Sequence, residues 1–287
     1  MFEHVRAFHQ PRTISEAIRL LNHRDGVACL VAGGTDLALR AGRTVTDLVD
    51  ITHLGLAYIK RDGRAIRIGA TTTMSEIEQS SFIQHMANGI LARAAASCGS
   101  AQTRNLATLG GNLANASPAA DTATPLLVLD ADVVLQGQRA KRRLPLAEFF
   151  TGPHKTAANA SLLVELVIPG PEPRTAWSFQ KFGRTEVDIS IVNVAAGIKL
   201  DRANRVTFAR IALGAVAPRP IRAHGAEFLL EGRVLDQHLL DAVSEEAAQE
   251  IDPIDDVRAS AAYRRELTQV LVRRALRECA ARLERAL

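Results

Sequence analysis

Two glycine pairs carry the chemistry open to this sequence. The first lies in Ala32-Gly33-Gly34-Thr35-Asp36-Leu37, the second in Thr108-Leu109-Gly110-Gly111-Asn112, which runs on through Ser117-Pro118 to Asp121. Consecutive glycines expose backbone N–H groups with no Cβ in the way, so a loop at each pair can wrap an anion at close range. Hydroxyl and amide side chains flank both pairs, as a diphosphate clamp needs. Two such loops predict a dinucleotide held from both sides. A lone Gly-Gly is more often a tight turn. Asp36 and Asp121 can equally be read as caps for the helices that follow them.

The elements around these pairs follow from local pattern. Thr13-Ile14-Ser15-Glu16 is a capping box opening a helix through Leu21, and Cys29-Leu30-Val31 reads as a buried strand entering the first pair. A helix starting at Leu37 and running to Ala41 would aim its first amides at the same anion, and Leu48–Ile51 is a second strand, which together make a small β–α–β opening. Asp62-Gly63 turns a hairpin between Tyr58–Arg61 and Ala65–Ile68, Thr73-Met74-Ser75-Glu76 is another capping box, and helical periodicity covers Ile83 to Ala96. After the second pair come a helix over Thr122–Leu129 with Pro125 in its first turn and a hairpin joining Val133–Leu135 to Arg143–Leu144. Pro169, Pro171 and Pro173 mark a linker. Beyond it, strands are expected at Trp177–Phe182, Ser190–Leu200 and Val206–Leu213, then helices at Arg222–Leu230, Asp236–Glu250 and Ala259–Leu287. Strands followed by segregated helices indicate an α+β domain.

Bulk properties narrow the function classes. The chain has 287 residues, 47% hydrophobic and 23% charged, which suits two or three globular domains. A net charge of +4 without a basic stripe interleaved with aromatics argues against nucleic-acid binding. Cys29, Cys98 and Cys279 form no CxxC pair and cannot supply four thiolates to an iron–sulfur cluster, so they read as buried thiols in a reducing compartment. No helical zinc spacing, signal-peptide core or membrane-length apolar run is present, and a cytoplasmic protein is expected. No acid–base pair or nucleophile triad stands out.

Taken in order, the motifs resemble those of the FAD-binding medium subunits of the molybdenum hydroxylases, the xanthine dehydrogenase and aerobic carbon monoxide dehydrogenase group. Residues 32–36 resemble the family's first phosphate loop, and Thr108 through Asp121 its second, with Leu109 where isoleucine is usual. Gln102-Thr103-Arg104-Asn105, Phe149-Phe150-Thr151-Gly152-Pro153, Lys181-Phe182-Gly183-Arg184, Asp188-Ile189, Ala212 through Pro218 and Asp256 through Arg264 resemble further family segments over nearly the whole chain. Ala101 departs from a common proline, Cys98 stands where some relatives place an aromatic or branched residue against the flavin ring, and Thr185 replaces a frequent base.

The resemblance implies an α+β protein: a two-part FAD-binding domain of the vanillyl-alcohol-oxidase/PCMH type over residues 1–170 (parts 1–56 and 57–170), then a small C-terminal domain over 174–287 with an antiparallel sheet and helices. It implies FAD held by Ala32, Gly33, Gly34, Thr35, Asp36, Leu37, Thr108, Gly110, Gly111, Asn112, Ser117, Asp121 and Lys181. In that arrangement both glycine pairs donate amides to the diphosphate, Asp121 accepts from a ribityl hydroxyl, and Lys181 stabilises negative charge on the reduced ring. The implied role is electron transfer from the 2Fe–2S clusters of a small partner subunit to NAD+, a quinone or oxygen. A large partner would hold the molybdenum cofactor, the whole assembling as a dimer of heterotrimers. A stand-alone flavin oxidoreductase and a non-catalytic nucleotide-binding scaffold are the alternatives.

Overall fold

The computed structural model describes residues 4–23, 26–40 and 44–284. At its N-terminal end β1 (Ala7–His9), β2 (Ala28–Val31) and β3 (Asp47–Asp50) form a parallel sheet in the order β1-β3-β2. Strand β1 was invisible as a pattern, being three residues long. His9 ties it to β3 through Asp47 at 2.8 Å. Helix α1 (Ile14–Leu21) is capped by Thr13, but only half a capping box forms: the Glu16 carboxylate accepts from the Arg12 amide instead of the Thr13 amide. Helix α2 (Leu37–Arg40) begins where expected. The expected extension to Ala41 lies outside the described residues, as does that of the last helix to Leu287.

A five-stranded antiparallel sheet follows, built from β4 (Ile59–Asp62), β5 (Ala65–Gly69), β6 (Asp132–Gln136), β7 (Lys141–Pro145) and, after the short hairpin of β8 (Phe150–Gly152) and β9 (Lys155–Thr156), β10 (Leu162–Ile168). Its order is β4-β5-β10-β6-β7, so the central strand is β10, which sequence pattern missed. All seven of its residues are buried, and a run apolar apart from Glu165, which pairs with Arg67 and Tyr58, has no period-2 signal. A bulge between Leu163 and Glu165 switches the alternation. Leu162 before it, Val164 within it and Val167 after it face the core under the N-terminal sheet; Leu163, Leu166 and Ile168 face the main helical core.

That helical layer contains α3 (Met74–Gln79), α4 (Ser81–His85), α5 (Ile90–Ala96), α6 (Ala101–Leu106), α7 (Leu109–Ala114), α8 (Ala123–Val128) and, beside β7, α9 (Leu146–Phe149). The full capping box at Thr73 forms as expected, and Thr122 takes the N-cap position of α8 without a side-chain bond. The single helix expected over Ile83–Ala96 is instead α4 and α5 split at Ala87, Asn88 and Gly89, with φ of 49°, 55° and 71°. Asn88 is released from helical geometry to accept a hydrogen bond from the Trp177 amide at 2.8 Å. A periodicity count cannot see that demand.

Past an irregular stretch over 169–175, β11 (Ala176–Phe182), β12 (Val192–Leu200), β13 (Val206–Gly214) and β14 (Ile221–Arg222) form an antiparallel meander. One face packs against α10 (His224–Leu230), α11 (Gln237–Gln249, capped by Asp236) and α12 (Ala261–Glu284), burying Leu267, Leu271 and Leu276. The other face sends Trp177, Phe179, Ala195 and Ala212 into the main helical core. Polar contacts reinforce that junction: Ala215 donates to the Pro118 carbonyl at 2.7 Å, Arg222 meets Asp130 at 3.0 Å, and Arg93 meets Glu278 at 3.0 Å.

Candidate functional site

The turn after β2 and the segment leading from α6 into α7 come together because glycine lets their backbones touch. A Cβ on Gly33 would lie 1.8 Å from the Leu106 carbonyl oxygen, so the first glycine turn rests directly on the end of α6, four positions before Gly110. Gly34 has φ of +70°, a conformation that favours glycine. Between these segments runs a cavity of about 620 Å³, within the range of roughly 300–1,000 Å³ for small-molecule sites. Its walls carry all the motif residues from Ala32 through Leu37, together with Thr108, Gly110, Gly111, Asn112, Ser117 and Asp121. Cys98 is also there. Burial pushes its thiol pKa well up, and its sulfur donates to the Ala94 carbonyl.

The two pairs differ in what their amides do. Among the described residues, the amides of Gly33, Gly34, Thr35 and Asp36 have no protein acceptor. The second pair is not a loop at all: Gly110 and Gly111 sit in the first turn of α7, with Thr108 as N-cap. Their amides are committed, Gly110 to the Ala70 carbonyl at 2.8 Å and Gly111 to the Thr108 hydroxyl at 3.1 Å. Leu109 donates to Thr72 and Asn112 to Thr108, so the turn has no spare amide. Glycine is required at 110 for proximity: a Cβ there would stand 2.6 Å from the Ala70 Cβ. The expectation that both pairs donate backbone amides is corrected accordingly. What the second segment offers the cavity is side chains, above all Asn112, whose oxygen accepts from Thr122 and leaves its NH2 as donor.

Asp121 and Lys181 meet each other. The Lys181 ammonium lies 2.6 Å from Asp121 Oδ2, with side-chain exposures of 10% and 8%, and Lys181 also donates to the Ser97 carbonyl at 2.7 Å. Ser190 and Asn193 donate to Asp121 Oδ1. Lys181 does not line the cavity. Burial raises the Asp121 pKa, opposed by Lys181 and the Ser190 hydrogen bond. Asp121 is not the N-cap of α8, a position Thr122 holds, so the reading of this carboxylate as a simple helix cap fails.

Two lining segments were not singled out from sequence. Ala160-Ser161 closes the cavity beside β10, and Val187-Asp188-Ile189 reaches it from the far side of the proline-rich stretch. Neither carries a local signal, since long-range packing brings them there; Asp188-Ile189 was marked only by resemblance. Among the described residues that line the cavity, none is lysine, arginine or histidine. An anion bound there is held by neutral dipoles. Unpaired consecutive amides suit a diphosphate in that respect, each charge-assisted bond contributing about 1.5–3 kcal/mol. No group of three or more potential metal ligands occurs among the described residues, and no described helix is long and apolar enough to cross a membrane.

With this geometry in view, similarity to known proteins is informative. Residues 2–171 match the family of FAD binding domains in molybdopterin dehydrogenase, and residues 177–279 match the CO dehydrogenase flavoprotein C-terminal domain. The chain is 33% identical over 285 residues to the xanthine dehydrogenase FAD-binding subunit of Escherichia coli O157:H7, covering 96% of each. It is 30% identical to the carbon monoxide dehydrogenase medium chain of Hydrogenophaga pseudoflava, covering 96% of this chain and 97% of that one. In solved structures, the fold superposes on carbon monoxide dehydrogenase from the same bacterium with a TM-score of 0.93 at 30% identity, covering 98% and 99% of the two chains. Quinoline 2-oxidoreductase of Pseudomonas putida 86 gives 0.89 at 28% identity, covering 96% and 97%. With both halves matched in order and full-length relatives above 30% identity, the chain belongs to the FAD-binding subunit family of the molybdopterin-containing dehydrogenases.

Proposed function

We propose that this chain holds FAD in the cavity between the first glycine turn and α7 and serves as the electron-transfer subunit of a molybdenum hydroxylase. One observation supports the placement above others: four consecutive backbone amides, Gly33 to Asp36, line the cavity without an acceptor among the described residues. These residues are half-buried, and consecutive free amides facing one cavity suit the oxygens of a diphosphate. When bound, FAD contributes a redox centre that takes up electrons singly or in pairs. The chain's own residues bind and orient it. The Thr35 hydroxyl and the Asn112 NH2 add side-chain donors, Ser117 lines the same wall, and Met74 and Phe149 give that wall an apolar lining.

The expected donor is a pair of 2Fe–2S clusters on a small partner subunit, and a large partner carries the molybdenum site where substrate is oxidised; the acceptor is NAD+, a quinone or oxygen. Both partners, the dimer of heterotrimers and a cytoplasmic location are part of this proposal. It is supported by the medium-chain relatives and by a chain whose three cysteines are all free and too few for a cluster. The test is an absorption spectrum of the purified chain followed by chromatographic identification of any nucleotide released on denaturation. Flavin bands with FAD released are expected. A colourless protein that takes up no added FAD overturns the assignment, and turnover of an organic substrate by the isolated chain would favour the stand-alone oxidoreductase.

A further inference from the structure

We propose that Asp121 is a positioning residue that clasps a loop of the C-terminal half over the cavity, gripping both stems of that loop with one carboxylate. The loop spans residues 183–189, between β11 and β12. It leaves β11 after Phe182, one residue past Lys181, and returns through Ser190, and the Ile191 amide donating to the Phe182 carbonyl at 2.8 Å closes its neck. Lys181 on the outgoing stem takes Asp121 Oδ2; Ser190 on the returning stem takes Oδ1, with Asn193 at 3.3 Å beside it. Every donor therefore comes from the C-terminal half, while the acceptor belongs to the wall of the cavity.

Beyond the clasp, Arg264 donates to the Ile191 carbonyl at 2.6 Å and the Phe182 ring packs edge-on against Tyr263, both at the neck rather than on the loop itself. Arg184 and Asp188 brace it internally at 2.6 Å, and the Ile189 amide donates to Asp188 at 2.8 Å. Val187 and Ile189 line the cavity yet remain 57% and 48% exposed, so their burial fixes the loop only weakly. The stems decide its position. Removing one partner of a buried ion pair strands the other's charge, whereas removing both charges relieves that penalty, so the two kinds of variant behave differently.

That the clasp also controls ligand retention rests on the FAD reading; the clasp itself does not. The test compares tryptic cleavage after the exposed Arg184 in the full chain, without added FAD, for wild type, Lys181→Met, Ser190→Ala and the double variant Asp121→Asn/Lys181→Met. Cleavage after Arg202, in the turn between β12 and β13, is the reference for general loosening, and FAD release followed by flavin fluorescence is read alongside. Lys181→Met is expected to accelerate the Arg184 cut by about tenfold or more and Ser190→Ala by about threefold or more, with Arg202 cleavage unchanged. The double variant should cleave more slowly at Arg184 than Lys181→Met, and FAD release should follow the same order. Unchanged cleavage at Arg184 in both single variants, equal acceleration at Arg202, or a double variant no slower than Lys181→Met overturns the clasp. Should Lys181→Met fail to fold, Ser190→Ala decides alone, with an unchanged Arg184 rate counting against it. If wild type binds no FAD, the functional reading fails while the cleavage comparison still judges the clasp.

Discussion

The two glycine pairs look alike in sequence and do opposite work in the structure. Among the described residues, Gly33-Gly34 keeps its amides and those of Thr35 and Asp36 without acceptors at the cavity wall, whereas Gly110-Gly111 spends its amides on Ala70 and Thr108 inside a helical turn. One pair leaves amides open to the cavity and the other uses its amides in packing. The lesson is that glycine marks close approach, and only the hydrogen-bond inventory tells whether the thing approached is an anion or the protein's own backbone.

This contrast is open to direct test. The largest expected effect is in hydrogen exchange of the FAD-free chain: amides 33–36 should exchange at nearly unprotected rates and amides 109–112 about a thousandfold or more slower, with FAD protecting only the first set. Equal protection of the two sets would erase the distinction. Next, Gly33→Val drives a side chain into the Leu106 carbonyl and displaces the donor turn, and FAD affinity measured by titration should fall about a hundredfold or more, equivalent to losing one or two charge-assisted bonds. Retained affinity would detach the first pair from the ligand. Gly110→Ala should register instead in stability, lowering the unfolding free energy of the FAD-free chain by about 1–3 kcal/mol in a denaturant titration, because the added methyl overlaps Ala70. The smallest effect belongs to Gly111→Ala. Its Cβ meets only the Thr108 hydroxyl, and a helix-propensity gain of about 1 kcal/mol offsets a weakened cap of similar size, so thermal midpoint and FAD affinity should both hardly move. Loss of FAD from that variant would return the second pair to the role its sequence suggests.

Local chemistry was readable wherever a few adjacent residues decide the outcome. The Thr73 capping box forms where expected, and the hairpin of β4 and β5 forms with its turn moved one residue on, to Gly63-Arg64, since each is a contract among neighbours. The cavity wall at 32–37 was readable for the same reason. Glycine's poor helix propensity made Gly110-Gly111 read as a loop, because the contact with Ala70 that favours glycine there lies forty residues away. The break at Ala87–Gly89, the central strand β10 and the arrival of Val187-Ile189 at the cavity likewise depend on partners remote in sequence. Asp121 and Lys181 were each picked out, but as separate ligands of a cofactor; their pairing is a tertiary fact.

The kink between α4 and α5 bears on how the chain is made. Asn88 is held in a left-handed conformation with its side chain on the amide of Trp177, and Trp177, Phe179, Ala195 and Ala212 fill the core that α5 and α8 begin. As the chain emerges from the ribosome, the first 170 residues therefore present an apolar face that stays open until roughly forty more have followed, since Ala212 is the last of the four. The cofactor-binding part cannot finish folding before its neighbour is synthesised, and a fragment ending at the proline-rich stretch would expose that face to aggregation.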